Sequence, residues 1–127
     1  MELLSKLKFD KHGLIPAIIV DISDNQVLTL CYMNDEALNK TIETGKIHVF
    51  RRSKGRLMLK GETSGHTQTV KDIYFDCEGN SLVFKVDQKV AECHAGYKSC
   101  YYQKSDIDGN NIKIVEEKIF DDSKVYK

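Results

Sequence analysis

The chain has 127 residues, a length that predicts one domain with its own hydrophobic core. Its 19 basic residues balance its 19 acidic residues, which argues against a general nucleic-acid binder or a polybasic membrane binder. No apolar run reaches the roughly 20 residues that span a bilayer, and the charged N-terminus does not resemble a signal peptide. We therefore expect a cytoplasmic protein whose four cysteines are reduced, buried or metal-bound rather than paired in disulfides.

The chain begins with a predicted arm and a hairpin. Residues 1–13 are mixed and charged, which predicts a short helix or an irregular arm. Two β-branched runs, 14–20 and 26–33, flank the turn-forming sequence DISDN and predict an antiparallel hairpin. Because Pro16 has no N–H for a ladder, either the first strand is an edge strand or Pro16 lies among its first residues.

The clearest helix is predicted over residues 35–44. Asn34 is typical of a helix N-cap, and Gly45 suits the left-handed position after the last turn. Asp and Glu occupy the first turn, where the helix dipole favours negative charge. Apolar or small side chains recur at helical spacing and predict one buried face, at Ala37, Leu38, Thr41 and Ile42.

The remaining chain is mainly extended. Alternation and turn residues predict strands over 46–52, 56–60, 67–76 and 81–87, with Leu82, Phe84 and Val86 on one face of the last. Tyr101 and Tyr102 are predicted to form a last core strand, and the tail contains a turn at 108–110. These elements predict an α+β fold, mainly antiparallel β with one clear helix, in a single domain spanning 1–127.

Three cysteines and one histidine suggest a metal centre. Cys77, Cys93 and Cys100 supply three thiolates, and catalytic zinc typically has three protein ligands and an open position for water. Three thiolates leave the site with a net negative charge, so a nearby base such as His94 would help to activate the water. The alternatives are a closed structural site with His94 as fourth ligand, and buried thiols without metal. Cys31 lies in an apolar run and is interpreted as a core residue.

Oxygen-bearing side chains alternate around the first of these cysteines. If the segment is extended, Asp76, Glu78 and Asn80 share one face and Cys77 points the other way. Oxygen ligands suit magnesium, which binds through one or two carboxylates together with substrate phosphates. The alternative is a polar turn whose residues are there for backbone reasons.

A basic stretch and the loop after it could bind phosphate through guanidinium groups and backbone N–H groups. The alternatives are a solvated hairpin tip and, for His66, an ordinary surface residue. The candidate residues are Arg51, Arg52, Ser53, Lys54, Arg56 and Lys60 in the basic stretch, and Glu62, Thr63, Ser64 and His66 in the loop.

Five segments resemble successive blocks of the phosphoribosyl-AMP cyclohydrolase family. They are GLIPAIIVD (13–21), VLTLCYMNDEAL (27–38), RRSKGRLMLKGETSGHTQTV (51–70), DCEGN (76–80) and AECHAGYKSC (91–100). The resemblance covers residues 9–103, which leaves 104–127 as a C-terminal extension. It implies the enzyme of the third step of histidine biosynthesis, which opens the N1–C6 bond of the adenine ring of N1-(5-phosphoribosyl)-AMP by hydrolysis.

The resemblance also implies cofactors, partners and roles. The enzyme would use Zn²⁺ and Mg²⁺ and form an intertwined homodimer, in which one subunit contributes the first zinc-binding cysteine and its partner contributes the other two. The basic stretch and the loop after it would hold the substrate's phosphates and ribose. The implied ligands are Cys77, Cys93 and Cys100 for zinc and Asp76, Glu78 and Asn80 for magnesium, with His94 as the catalytic residue.

The chain differs from the family pattern at a few positions. Glu78 and Asn80 stand where the family usually has aspartates, and the neutral Asn80 removes one charge from the magnesium site. The chain has no Trp where the family usually has it, and Ala95 stands where the family has Thr. These differences motivate an alternative function, a catalytically weak or inactive zinc-binding relative that binds nucleotide as a dimer. A redox-sensing thiol protein is a third hypothesis.

Overall fold

The computed structural model describes residues 1–60, 67–88 and 97–116, and all the elements below lie within those ranges. Short apolar runs separated by turn residues give an α+β arrangement of mainly antiparallel strands and two helices. In chain order the elements are α1 (Glu2–Ser5), β1 (Ile15–Asp21), β2 (Val27–Met33), α2 (Asp35–Thr44), β3 (His48–Arg51), β4 (Arg56–Leu59), β5 (Gln68–Phe75), β6 (Leu82–Gln88), β7 (Gln103–Lys104) and β8 (Lys113–Ile114).

The largest sheet has four strands in the order β2-β1-β6-β5. β1 pairs with β2 in antiparallel fashion, which confirms the predicted hairpin, and β5 pairs with β6 in the same way. The two hairpins are joined by a parallel pairing of β1 with β6, in which Ala17 lies opposite Leu82. That central parallel pairing was not predicted, because it joins segments that are distant in sequence and no local pattern encodes it.

The structure decides between the two alternatives predicted for Pro16. β1 lies between β2 and β6, so the prediction that it is an edge strand is wrong. The alternative is confirmed, because Pro16 is the second residue of β1 and the pairing with β6 begins only at Ala17. The missing N–H of Pro16 therefore removes no hydrogen bond from the β1–β6 ladder.

α2 spans the ten residues that were predicted. The Asn34 side chain accepts a hydrogen bond of 2.8 Å from the Ala37 N–H, and Gly45 ends the helix in the left-handed region at φ 73°. Thr41 is buried and accepts the His48 N–H through its hydroxyl oxygen at 2.9 Å, which ties the helix to β3. The buried face is narrower than predicted, because Ile42 remains exposed.

The core lies between the large sheet, α2 and the β3–β4 hairpin. Its buried side chains are Ile15, Ala17, Ile19, Leu28, Met33, Ala37, Leu38, Ile47, Val49, Leu82, Phe84 and Val86. Leu82, Phe84 and Val86 are buried on one face of β6, as the alternation predicted. No helix formed by the described residues is both long and apolar enough to cross a membrane.

The C-terminal part differs from its prediction. Tyr101 and Tyr102 precede β7 and form no core strand: Tyr101 is exposed, and Tyr102 stacks on Tyr97 with ring centroids 3.9 Å apart. The reason is that this segment is fixed to β2 through its backbone and through Ser99, instead of alternating across a sheet face. β7 pairs only with β8, across the predicted turn at 108–110.

Candidate active site

A cavity of about 450 Å³ lies between β2 and the β3–β4 hairpin. Its volume is within the ordinary range for sites that bind small molecules. It is lined by Leu30, Cys31, Tyr32, Val49, Phe50, Arg51, Arg52, Ser53 and Lys60. Four of the predicted substrate-binding residues therefore meet in one cavity, whereas Lys54 and Arg56 are exposed at the hairpin tip and do not line it.

The turn of the β3–β4 hairpin explains why some of the predicted residues line the cavity and others do not. The N–H groups of Lys54 and Gly55 both donate to the carbonyl oxygen of Arg51, at 3.0 and 2.7 Å. Gly55 takes the left-handed conformation with φ 60°, which a residue with a side chain adopts only at a cost. At the other end of the hairpin, the Lys60 N–H donates to the Ile47 carbonyl oxygen at 2.9 Å and fixes Lys60 beside the core.

The cavity combines cations with apolar and aromatic walls. The guanidinium carbon of Arg52 lies 4.2 Å from the centre of the Tyr32 ring, so this arginine is held over an aromatic face. Phe50 and Val49 supply apolar surface on β3. Such a site can hold a flat aromatic group against its walls and an anion against its arginines.

Cys77 lies in an exposed turn between β5 and β6. The segment is a turn, so the condition under which Asp76, Glu78 and Asn80 would share one face, an extended backbone, is not met. The Asp76 carboxylate accepts hydrogen bonds from the Asn80 N–H at 2.6 Å and the Ser81 hydroxyl at 3.1 Å. The bond from the Asn80 N–H does most to hold the pKa of Asp76 below its usual range. The alternative of a polar turn thus describes the local backbone.

The N-terminal segment packs closely against this turn. Gly79 has φ 71°, and a Cβ atom there would lie 2.1 Å from the carbonyl oxygen of Lys6. The Lys8 N–H donates to the Gly79 carbonyl oxygen at 2.8 Å. Only glycine fits between the two segments, so the N-terminal segment fixes the backbone of the turn.

Cys100 lies at a different place in the fold. Its N–H donates to the Leu28 carbonyl oxygen at 2.8 Å, which attaches the segment to β2. The preceding Ser99 is fully buried, and its hydroxyl donates to the Val27 carbonyl oxygen at 2.7 Å. Lys98 reaches the turn between β1 and β2, where its ammonium lies 2.6 Å from Asp24 and 3.2 Å from Asp21.

The sequence reasoning assigned no role to Lys98, Ser99, Asp21 or Asp24. One available signal was the position of Lys98 and Ser99 directly before a candidate ligand. The hydrogen bond from Lys98 is the first cause that lowers the pKa of Asp24. Burial raises the pKa of Asp21, but hydrogen bonds from Ser23 and the charge of Lys98 outweigh burial and leave that pKa lowered. Both carboxylates are therefore charged at neutral pH.

Cys77 and Cys100 lie at opposite edges of the large sheet. Cys77 follows β5, one edge strand, whereas Cys100 is bonded to β2, the other edge strand. Three strand spacings separate those edges, or roughly 14 Å at about 4.8 Å each. The two cysteines also lie toward opposite ends of the sheet. On the side of Cys77, Phe75 pairs with Leu82, which in turn pairs with Ala17 near the start of β1. On the side of Cys100, Val27 of β2 pairs with the other end of β1.

That separation exceeds what one metal ion allows. Two sulfurs on one zinc lie within about 4.6 Å of each other, because each Zn–S bond is about 2.3 Å. Among residues 1–60, 67–88 and 97–116, no three His, Cys, Asp or Glu side chains come together as a metal site. The thiolates suit zinc and the carboxylates suit magnesium by their chemistry. However, Cys77 and Cys100 of one chain cannot bind the same ion.

Several predicted site residues lie outside the described parts of the chain. They are Cys93 and His94 in the cysteine segment, and Glu62, Thr63, Ser64 and His66 in the loop after the hairpin. Cys31, predicted as a core residue, is half-buried: it packs against the core and also lines the cavity.

Comparison with known proteins places the chain among named relatives. A family model described as phosphoribosyl-AMP cyclohydrolase matches residues 29–102. The chain is 49% identical over 124 residues to the phosphoribosyl-AMP cyclohydrolase of Desulforapulum autotrophicum, covering 96% of this chain and 98% of the relative. It is 47% identical over 117 residues to that of Methanothermobacter thermautotrophicus, covering 91% and 83%.

A longer relative is also similar. The chain is 48% identical over 125 residues to the histidine biosynthesis bifunctional protein HisIE of Thermoanaerobacter pseudethanolicus. The match covers 98% of this chain but only 57% of that relative's length.

Proposed function

The chain belongs to the phosphoribosyl-AMP cyclohydrolase family, and on that premise we propose that it opens the adenine ring of N1-(5-phosphoribosyl)-AMP, a step of histidine biosynthesis. Water adds to C6, the N1–C6 bond breaks, and N1 takes up a proton. The observation that carries the proposal is that all the residues lining the cavity fall within the matched span 29–102. The alternative of an inactive relative gains no support from relatives that are named for the enzyme.

The cavity suits a nucleotide that carries phosphate. Arg51, Arg52 and Lys60 would bind phosphate oxygens, because guanidinium and ammonium groups make charge-assisted hydrogen bonds to them. Tyr32 and Phe50 would contact the flat base or the ribose. We assign Ser53 to the same site, with Glu62, Thr63, Ser64 and His66 completing it from the loop.

The zinc site would be formed by two copies of the chain. Cys77 and Cys100 are at opposite edges of one sheet, so a zinc ion that uses both requires them from different chains. We propose a homodimer in which Cys77 of one chain meets Cys93 and Cys100 of its partner, giving two equivalent sites. Zinc held by three thiolates would supply a Lewis acid that makes its water more acidic.

The remaining roles concern protons and charge. His94 would accept a proton from the attacking water and deliver one to N1, which is the ordinary function of a histidine near neutral pH. Asp76, Glu78 and Asn80 would hold magnesium beside the substrate's phosphates, since all three carry oxygen donors and are exposed in the turn. Because the substrate is a charged nucleotide that does not cross a bilayer unaided, we propose a cytoplasmic location.

The direct test follows ring opening by ultraviolet absorbance while zinc is measured on the same sample. Wild-type protein with zinc and magnesium should convert phosphoribosyl-AMP, and Cys100→Ala should lose both zinc and turnover. Cys31→Ala is the matched control for zinc content, because Cys31 is a thiol outside the proposed ligand set. Fully zinc-loaded wild-type protein that does not convert the substrate in the presence of magnesium would contradict the proposed function.

A further inference from the structure

We propose that Lys98 is a positioning residue for the zinc site: its bridge to Asp21 and Asp24 holds the segment that carries Cys100 in place on β2. This inference rests on the proposed function, because it takes Cys100 as a zinc ligand. Lys98 itself touches neither substrate nor metal in this proposal, and it acts through the backbone two residues before the ligand.

The segment is fixed to the hairpin at three successive residues. Lys98 binds the turn between β1 and β2, Ser99 donates to the Val27 carbonyl oxygen, and the Cys100 N–H donates to the Leu28 carbonyl oxygen. The Ser99 hydroxyl oxygen also accepts the Tyr101 N–H at 2.9 Å, which fixes the chain on the far side of the ligand. The backbone on both sides of Cys100 is thus held by contacts that do not involve a metal.

Of these three attachments, the one made by Lys98 is the farthest from Cys100 along the chain. Its ammonium lies between two carboxylates, and only 28% of its side chain is exposed. Asp21 is itself held by Ser23, whose N–H and hydroxyl both donate to one carboxylate oxygen, at 2.8 and 2.7 Å. On the other side, the Gln88 side-chain amide donates to the Lys98 carbonyl oxygen at 3.1 Å. Lys98 therefore links the hairpin turn, β6 and the ligand segment.

These attachments would pre-organise Cys100 for zinc binding. A ligand that is free to move must be ordered when metal binds, and that loss of freedom weakens binding. Cys100 is exposed and lies at the sheet edge, so its position depends on the neighbouring attachments rather than on core packing. Outer groups that orient metal ligands typically contribute roughly 10- to 100-fold to metal affinity.

The test is a zinc competition titration with a chromophoric chelator on the full chain. Lys98→Met should raise the zinc dissociation constant about 10-fold, at the low end of the range for outer groups. Lys98→Arg, which keeps the charge, should stay near wild type. Lys40→Met is the matched control, because Lys40 also pairs with a carboxylate, Glu43 at 3.8 Å, but does so on the exposed face of α2.

A second pair of measurements separates positioning from ordinary stability. With saturating zinc, Lys98→Met should recover a kcat close to wild type, because all the proposed ligands remain. Its zinc-free unfolding midpoint should match that of Lys40→Met. An unchanged zinc affinity overturns the inference, and so does a loss of stability that accounts for the whole effect.

Failure of the inference and failure of the proposed function give different results. If Cys100→Ala loses zinc while Lys98→Met binds it normally, the zinc site stands and only the positioning role fails. If Cys100→Ala binds zinc as tightly as wild type, Cys100 is not a ligand, and the positioning role fails together with the proposed zinc site. The proposed function itself fails only if zinc-loaded wild-type protein does not convert the substrate. A combined Asp24→Asn and Lys98→Met variant should weaken zinc no more than Lys98→Met alone, because both changes remove the same attachment.

Discussion

A pair of inactive variants should regain activity when they are combined in one dimer. In the proposed zinc site, Cys77→Ala removes the ligand that follows β5, and Cys100→Ala removes the ligand beside β2. Each homodimer lacks a ligand at both zinc sites and should be inactive. In the heterodimer one site lacks both cysteines, whereas the other receives Cys77 from one chain and Cys100 from its partner and is complete.

The expected magnitude follows from the proposed homodimer with two equivalent sites. One of two equivalent sites is intact, so the isolated heterodimer should show about half of wild-type turnover per dimer. It should also bind about half as much zinc. An unseparated equal mixture should show about one quarter, because random pairing makes only half of the dimers heterodimers.

The assay uses co-expression of the two variants with different affinity tags and purification through both tags. Ring opening of phosphoribosyl-AMP and zinc content are then measured on the doubly purified protein. The matched control combines Cys93→Ala with Cys100→Ala, two ligands proposed to come from the same chain. Every site in that heterodimer lacks one ligand, so it should remain inactive.

Either of two results would contradict a zinc site shared between two chains. If the Cys77 and Cys100 variants give an inactive heterodimer that is folded and stable, the sites are not shared in the way that the sheet geometry requires. If the control pair regains activity, Cys93 and Cys100 do not act from one chain. The separation of Cys77 and Cys100 across the sheet would then need another explanation.

Three further predictions concern the cavity, the turn and the helix. Arg52→Gln should raise KM for phosphoribosyl-AMP about 10-fold with little change in kcat, because the phosphate contact proposed for Arg52 would stabilise substrate and transition state alike; a change confined to kcat would contradict this proposed role. Gly79→Ala should destabilise the fold by more than Gly55→Ala in urea unfolding. Both glycines are left-handed, which costs alanine about 1–2 kcal/mol, but only at Gly79 would the Cβ meet the Lys6 carbonyl oxygen. Equal losses would mean that the two segments simply move apart. Asn34→Ala should lower the free energy of unfolding by about 1 kcal/mol while zinc content stays normal, and an unchanged urea midpoint would show that the cap contributes nothing.

Local features of the fold were predictable from the sequence. The Asn34 cap and the left-handed Gly45 fix both ends of α2, and each acts within a few residues of where it lies. The alternation of Leu82, Phe84 and Val86 likewise identified the buried face of β6. Arg51 and Arg52 reach the cavity because the turn after them is encoded by Gly55 close by.

Features that depend on distant contacts were not predictable in the same way. The place of Pro16 in a central strand follows from the pairing with β6, which no residue near Pro16 indicates. Asp76 closes a turn through its own hydrogen bonds, and alternation of polar residues alone did not decide between that turn and an extended segment. The role proposed for Lys98 follows from its ion pairs with carboxylates in the turn between β1 and β2, which are distant from it in the sequence.

The parallel pairing of β1 with β6 also has a consequence for how the chain acquires its structure. Ala17 can pair with Leu82 only after Leu82 has been synthesised, so the two central strands of the sheet pair only when most of the chain is available. Closing a longer loop adds little to the thermodynamic cost, but non-local pairing slows the search for the native topology. On the ribosome the β1–β2 hairpin and α2 precede β6, and β1 offers an open strand edge until β6 emerges. We therefore expect the joining of the two hairpins to be a slow event in folding, and mutations at that seam should change the folding rate more than those in α2.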